Sequence, residues 1–530
     1  MNRAILRGTV LLLVSLGAAD ARAVIRPNVV FIFADDWGWG DLSCQGHPWL
    51  KTPNLDRLAS EGIRFEQFNV LNPVCSPSRA AVMTGQFPAR HGIHQHFASP
   101  EQNRQRKMPD WLDPAAPSLP RLFKQVGYRT AHFGKWHLTN RETHGAPTPD
   151  AYGYDEARVF NGGAEWPSAD VHETADNAVA FISANQANPF FINVWLHESH
   201  TPHMPTLTSM ERWKQLDEQQ QVYAAVITDG DNAVGKILAA LRDANVERNT
   251  LVMFSSDNGP ESAARNQDAA AEDAHVGVAG YNSYYSVGQT GGLRGRKRSL
   301  FEGGVRVPLI VRWPGQTPAG VVNRQTVFTA VDVLPTLCAA AQVPLPTAYP
   351  GDGENLLPAL LGQTISRTVP IYWQWTGNSA EPDWWPRLAV RDGDWKLLLA
   401  DNAKRSELYL LSEDRAESND VASDHPAVVK RLTKLVFDWK ATLPERPNPD
   451  CISPVQLDAV PPKRSPRASS TRPTPDRDRA FARWDTDRDG VLTLDEYEAA
   501  LKGQANLEVR FGNFDANQDG RLTYDEFVKP

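Results

Sequence analysis

The sequence predicts an α/β fold for most of its length, a sheet covered by helices on both faces, and two observations predict it. Short apolar, β-branched runs at Asn28–Ala34, Pro189–Leu196 and Thr250–Ser255 read as fully buried strands. Helical stretches separate them, at Asn54–Ser60, Leu119–Val126 and about Glu218–Ala244. A third observation gives this sheet a working edge. The strands run into Asp35-Asp36, into His197 to His203 and into Asp257-Asn258-Gly259, and ligands of such sheets bind off the carboxyl ends of the strands. At 530 residues the chain exceeds one compact core, so a large domain and at least one smaller unit are expected.

Residues 1–23 carry Arg3 and Arg7, the apolar stretch Val10–Leu16 and then Ala21-Arg22-Ala23, the pattern of a secretory signal peptide. The stretch is shorter than the about 20 residues a transmembrane helix needs, and no later run supplies one. A secreted or periplasmic protein without a transmembrane segment is expected. Four cysteines, Cys44, Cys75, Cys338 and Cys451, are too few and scattered for a disulfide scaffold, although one pair is free to bridge. The net charge of -8 is modest for this length and argues against a nucleic-acid binder.

Cys75-Ser76-Pro77-Ser78-Arg79 leads into an apolar run ending at Gly85 and reads as the start of a buried helix, with Pro77 in its first turn and Ser76 or Ser78 as its cap. A helix start offers amides and positive partial charge to an anion, and Arg79 lies about one turn along. The plain alternative is a buried structural thiol. Asp35, Asp36, Asp257 and Asn258 form an all-oxygen set suited to a hard divalent cation, Ca²⁺ above all, although each pair also makes ordinary turns. Gly127–His137 reads as a strand presenting Lys135 and His137 on one face. Lys297 lies in the basic run Arg294–Arg298, and Glu302-Gly303-Gly304-Val305-Arg306 then supplies a turn into another strand. A solvated Lys, a surface His and a basic loop are the bland readings of these residues.

Residues 370–443 change to short strands, Arg387–Arg391, Trp395–Leu399 and Leu408–Leu411, closed by a helix at Ala427–Trp439, the pattern of a small α+β unit with an antiparallel sheet. Trp373, Trp375, Trp384 and Trp385 there are either core or platforms for sugar faces. Residues 444–475, rich in Pro, Ser and Arg, read as a linker. Residues 476–530 carry a tandem repeat that fits two EF-hand loops. The first has Asp485, Asp487, Asp489, Val491 and Glu496 as ligands, the second Asp515, Asn517, Asp519, Arg521 and Glu526, with Gly490 and Gly520 at the sharp turns. Two Ca²⁺ ions are expected in this all-α pair, and Phe481, Trp484, Tyr497, Phe511, Phe514 and Phe527 are its expected core.

The ordered set of motifs resembles the type I, formylglycine-dependent sulfatases of the alkaline phosphatase-like superfamily. The resemblance spans about Arg26 to Leu443 and leans towards N-acetylgalactosamine-6-sulfatase-like and arylsulfatase-like members. It rests on Asp35-Asp36, Cys75 to Gly85, Gly127 to His137, Asp257-Asn258-Gly259 and the Lys-containing Glu-Gly-Gly element. It implies a mixed central sheet flanked by helices, with 24–369 as the catalytic domain and 370–443 as its C-terminal subdomain. It implies a sulfuric ester hydrolase acting on sulfated carbohydrate or aryl sulfates, in which a formylglycine-generating enzyme has oxidised Cys75. Asp35, Asp36, Asp257 and Asn258 would then bind one Ca²⁺ together with that residue, and Arg79 would hold the hydrated aldehyde. Lys135 and Lys297 would pair with sulfate oxygens, and His137 would contact the second hydroxyl of the diol. His200, in His200-Thr201-Pro202, would protonate the leaving alcohol, with His197 and His203 as rivals. The implied route is attack of one diol hydroxyl on sulfur, a covalent sulfo-enzyme, then elimination of sulfate. Two other classes compete: a phosphate or phosphonate monoester hydrolase of the same superfamily, and a non-catalytic Ca²⁺-dependent binder of sulfated glycan whose EF-hands attach to a surface or protein partner.

Overall fold

All three apolar runs lie in the middle of one mixed sheet. The computed structural model describes residues 26–140, 143–161, 172–201, 203–261, 286–377, 385–454, 477–501, 507–515, 517 and 519–528, so the signal-peptide reading at 1–23 lies outside the described residues. The strands are β1 (Asn28–Ala34), β2 (Ile63–Asn69), β3 (Arg129–Lys135), β4 (Glu156–Phe160), β5 (Phe190–Trp195), β6 (Thr250–Ser256), β7 (Arg306–Arg312), β8 (Val321–Asn323) and β9 (Phe328–Thr329). Their order is β4-β3-β5-β1-β6-β7-β2-β8, with β9 also on β2. β4, β3, β5, β1 and β6 run parallel, while β7 runs against both β6 and β2. The carboxyl ends of the parallel strands therefore share an edge with the start of β7.

Side chains alternate across β1, so Val29, Phe31 and Phe33 enter one core and Val30, Ile32 and Ala34 enter the other. Both faces are buried, which is why this strand reads as an unbroken apolar run. On one side the long helix Glu218–Asp243 packs with α1 (Pro53–Ser60). Asp231 of the long helix accepts from the amides of Asn54 at 3.1 Å and Leu55 at 2.9 Å, capping α1 from across the core. On the other side lies α2 (Cys75–Thr84), buried along its whole length. Among the described residues, no helix is long and apolar enough to cross a membrane, and all four cysteines are free, so no pair bridges.

The C-terminal unit forms as expected. β10 (Ile371–Gln374), β11 (Leu388–Asp392), β12 (Trp395–Leu399) and β13 (Ser406–Leu410) make an antiparallel sheet covered by the helix Pro426–Lys440. Trp373 and Trp375 are core, and the Trp373 indole donates to the Val70 carbonyl at 2.8 Å, so neither offers a sugar platform. Trp384 lies outside the described residues and Trp385 is half-buried. The linker reading is corrected at its start. Cys451 and Ser453 are buried, the Asp110 amide donates to the Cys451 carbonyl at 2.8 Å and the Ser453 amide to the Asp110 carboxylate at 2.8 Å. Apolar periodicity cannot reveal such docking, because polar contacts to Asp110, Asp113 and the His144 carbonyl carry it. Residues 455–475 lie outside the described residues.

The EF-hand unit has its own core of Phe481, Leu492, Tyr497, Phe511, Leu522 and Phe527, with Trp484 and Phe514 packed against it. Its loops also pair through β14 (Val491–Thr493) and β15 (Arg521–Thr523), a ribbon added to the helices. In the first loop Asp485 accepts from the amides of Asp489 at 3.1 Å and Gly490 at 3.0 Å, and Asp515 does the same for Asp519 at 3.1 Å and Gly520 at 2.7 Å. Asp485, Asp487 and Glu496 bring oxygens within 4.8 Å of one another, a metal-sized group.

The two larger units are joined by buried charge. Lys396 of β12 is fully buried, and its ammonium lies 2.8 Å from Glu302 and 3.0 Å from Glu417. Burial, countered by Lys396, pushes the Glu417 carboxyl up to about 7. Replacing Lys396 with Met should cost about 3–5 kcal/mol, the scale for stranding a buried charge. A chemical-denaturation midpoint for the main domain that does not fall would contradict this.

Candidate active site

Each group of the site comes from one edge of the sheet. Asp35 and Asp36 follow β1, Asp257 and Asn258 follow β6, Lys135 ends β3, His197 and His200 follow β5, Cys75 opens α2 after β2, and Lys297 precedes β7. The structure thus brings together Asp35, Asp36, Cys75, Arg79, Lys135, Asp257, Asn258 and Lys297. Their separation in sequence gives no hint of this except the shared strand ends.

Asp35 is the hub. Its carboxylate accepts from Lys135 Nζ at 2.6 Å and from His197 Nδ1, with Arg79 at 3.6 Å. Burial alone would raise its carboxyl, yet Lys135, His200, His197 and Arg79 together hold it well below the usual carboxylate range. Arg79 donates to Asp257 at 2.6 Å and stacks on Trp195, while its Nε and second terminal nitrogen are buried without acceptors. Lys297 reaches Asp36 at 2.6 Å, and Asn258 donates to the other Asp36 oxygen at 2.6 Å. Burial and the neighbouring Asp35 charge push Asp257 up to about 7, despite Arg79. Burial also raises Asp36.

These residues fit a divalent cation. Oxygens of Asp35, Asp36 and Asp257 and the Cys75 sulfur all lie within 4.8 Å of one another. The Asn258 side-chain oxygen is buried with no donor. Three carboxylates this close repel one another, and a doubly charged ion with oxygen preference relieves that repulsion.

Cys75 Sγ lies 3.2 Å from Lys135 Nζ and 3.5 Å from Asp35. Burial, reinforced by Asp35 and Asp257, pushes the thiol up. The positive end of α2 therefore does not yield a thiolate here, and a thiol this protonated is a poor nucleophile. Neither serine caps α2, because the Ser78 hydroxyl donates to the Asn72 carbonyl and Ser76 Oγ accepts from the Phe97 amide. Both anchor the helix start to neighbouring loops instead.

Lys135 and His137 do not share an extended strand. β3 ends at Lys135, and His137 sits at φ 51° in the left-handed region. Gly134 makes the approach possible. It has φ 97°, and a Cβ there would lie 2.1 Å from the Trp195 carbonyl. His137 Nε2 pairs with the Phe97 carbonyl at 3.1 Å, leaving Nδ1 buried and unpaired.

Of the three histidines after β5, His197 is spent on Asp35 and stacks on His200 with ring centres 4.7 Å apart. His200 is only half-buried, Nδ1 is 2.6 Å from the Thr201 carbonyl, and its ring reaches within 4.8 Å of Asp35 and Cys75. Pro202 lies outside the described residues. His203 is buried with neither ring nitrogen paired, facing Tyr223 at 5.7 Å. Sequence reasoning missed Glu261, a buried carboxylate 3.4 Å from Lys297 Nζ, since nothing in the pattern after Asn258 sets it apart.

Known proteins place this geometry in a family. The Sulfatase family model matches residues 27–343, a model described as N-sulphoglucosamine sulphohydrolase, C-terminal, matches 295–441, and the EF hand model matches 477–502 and 507–529. The N-acetylgalactosamine-6-sulfatase of Canis lupus familiaris is 32% identical over 69% of this chain and 72% of that one. The N-acetylgalactosamine-6-O-sulfatase of Bacteroides thetaiotaomicron is 26% identical over 78% and 93%. Among solved structures, i-CgsB in complex with k-i-k-neocarrahexaose matches with a TM-score of 0.64 and 25% identity, over 78% of this chain and 92% of that one. The sheet and the strand ends that build the pocket around Cys75 lie within the matched span, and the chain belongs to the sulfatase family of sulfuric ester hydrolases.

Proposed function

We propose that the protein, exported by its N-terminal segment, removes sulfate from sulfated carbohydrate, with Cys75 matured to formylglycine and Ca²⁺ held by Asp35, Asp36, Asp257 and Asn258. The observation that carries this is Cys75 itself: a thiol buried at the meeting point of three carboxylates and two lysines, where burial pushes it up. A thiol has little chemistry to do there, whereas an aldehyde hydrate at that carbon would supply a hydroxyl nucleophile. Ca²⁺ would supply charge to offset the sulfuryl oxygens. N-acetylgalactosamine-6-sulfatase and glycosaminoglycan-metabolism relatives support a sulfated amino sugar as substrate.

The chain's own residues have separate tasks. Lys135 and Lys297 flank Cys75 and cancel charge on the sulfuryl oxygens. Arg79, paired with Asp257 through one nitrogen and holding two further buried donors without acceptors, orients the matured side chain. His137, two residues past Lys135 and with Nδ1 buried and unpaired, is suited to taking a proton from that residue. His200, half-buried beside the cluster, is placed to hand a proton to the leaving oxygen. Burial and then Lys297 hold His200 neutral and well below its ordinary value. An anionic ester seated between the two reverses that influence and favours the imidazolium that donation needs.

The deciding experiment is mass spectrometry of the Cys75 peptide from protein made with a formylglycine-generating enzyme, together with sulfate release from sulfated glycans. An aldehyde with sulfate release is expected. An unmodified thiol with glycan binding but no turnover would favour a binding protein. Cys75→Ser should abolish turnover in a host that matures only Cys. Lys135→Met should lower kcat/KM by about 10²–10³-fold, the scale for one lost charge-stabilising donor. Chelation should abolish activity and Ca²⁺ restore it, whereas deleting residues 476–530 should leave activity largely intact. Loss of activity in that deletion with an unchanged melting midpoint would show that the EF-hand pair serves the site.

A further inference from the structure

Lys297 is shared between two carboxylates. Its Nζ lies 2.6 Å from Asp36 Oδ2 and 3.4 Å from Glu261 Oε2, and both carboxylates are buried. Glu261 lies two residues past the Asp257-Asn258-Gly259 turn, and this segment is laced to the one carrying Lys297. The Lys297 amide donates to the Pro260 carbonyl at 3.0 Å, and Arg296 Nε donates to the Glu261 carbonyl at 2.9 Å. The other oxygen of Glu261 pairs with the Arg298 guanidinium, whose side chain is 35% exposed. Once Asp36 serves a metal, Glu261 is the carboxylate that Lys297 keeps.

A full negative charge behind Lys297 weakens the field that this lysine casts on a bound ester. The weakening falls unequally on two ester classes. A sulfate monoester carries one negative charge, while a phosphate monoester carries nearly two at neutral pH because its second pKa is about 6. Coulomb energy scales with charge, so Glu261 costs the dianion more than the monoanion. We infer that Glu261 is a specificity-determining residue that, acting through Lys297, biases this site towards sulfate esters and against phosphate esters. This rests on the proposed sulfatase function and explains how one cation-rich pocket separates two tetrahedral anions of similar size. Glu261 acts through Lys297, the residue assigned to the ester, by offsetting part of its field.

The test compares kcat/KM for 4-nitrophenyl sulfate and 4-nitrophenyl phosphate in matured wild type and Glu261→Gln. The amide keeps the size of the side chain, and the backbone bond from Arg296 is untouched. The phosphate-to-sulfate ratio should rise about tenfold or more on losing one nearby charge. Arg298→Gln, which strips one cationic partner from Glu261, should move the ratio the opposite way, and Glu261→Ala, which also removes the charge, decides the matter if Glu261→Gln does not fold. A ratio unchanged in both folded variants, with the two activities falling together, would overturn the inference and leave Glu261 a structural loop anchor. Matured wild type that turns over neither ester would overturn the sulfatase reading and this inference with it; sulfate turnover with a fixed ratio overturns this inference alone.

Discussion

The pairing of Asp35, Asp36 and Asp257 with Arg79, Lys135 and Lys297 is the interaction on which the rest of the structure depends. Each of these six side chains is nearly or wholly removed from water. An ion in that position is tolerable only when paired and hydrogen-bonded, and each member here is held by at least one opposite charge between 2.6 and 3.6 Å away. The set is also incomplete by its own electrostatics, since burial and mutual repulsion leave Asp257 at about 7 and Asp36 raised. A structure that tolerates such unrelieved repulsion is built for added positive charge and not for stability alone.

The sheet exists in the form that delivers those groups. Parallel order places the ends of β1, β3, β5 and β6 side by side, and the reversed strand β7 brings the loop before it, with Lys297, to the same edge. Backbone strain gathers there too, with Asp36, His137 and Arg298 all at positive φ. Gly259 shows how tight the packing is, because a Cβ there would lie 1.9 Å from the Gly303 carbonyl. The loop carrying Lys297 is thereby pressed against the turn that carries Asp257 and Asn258.

The C-terminal sheet belongs to this site as much as to itself. Lys396 binds Glu302 at the foot of β7, the Glu302 amide donates to Glu417 at 2.5 Å, and Arg294 hydrogen-bonds Tyr409 at 2.8 Å. Buried ion pairs and hydrogen bonds therefore cross the change of secondary structure near residue 370. The family model that spans 295–441 crosses it in the same way. The EF-hand pair differs, since its aromatic core is a cluster of its own.

Strands, helices, metal-suited acid pairs and EF-hand loops were legible in the sequence because each is set by local chemistry: apolar runs by burial on both faces, Asp spacing by loop ligation. The order of motifs along the chain carried the family likeness. Tertiary structure alone decided the roles that hang on partners far away in sequence. It took His197 for Asp35 and left His200 open to the cluster, turned Ser76 and Ser78 from caps into loop anchors, and buried Trp373 and Trp375. It folded the start of the supposed linker onto Asp110 and set Glu261 behind Lys297. Sequence pattern records what a residue prefers, whereas these assignments depend on which opposite charge, acceptor or cavity the packed chain brings within about 3 Å.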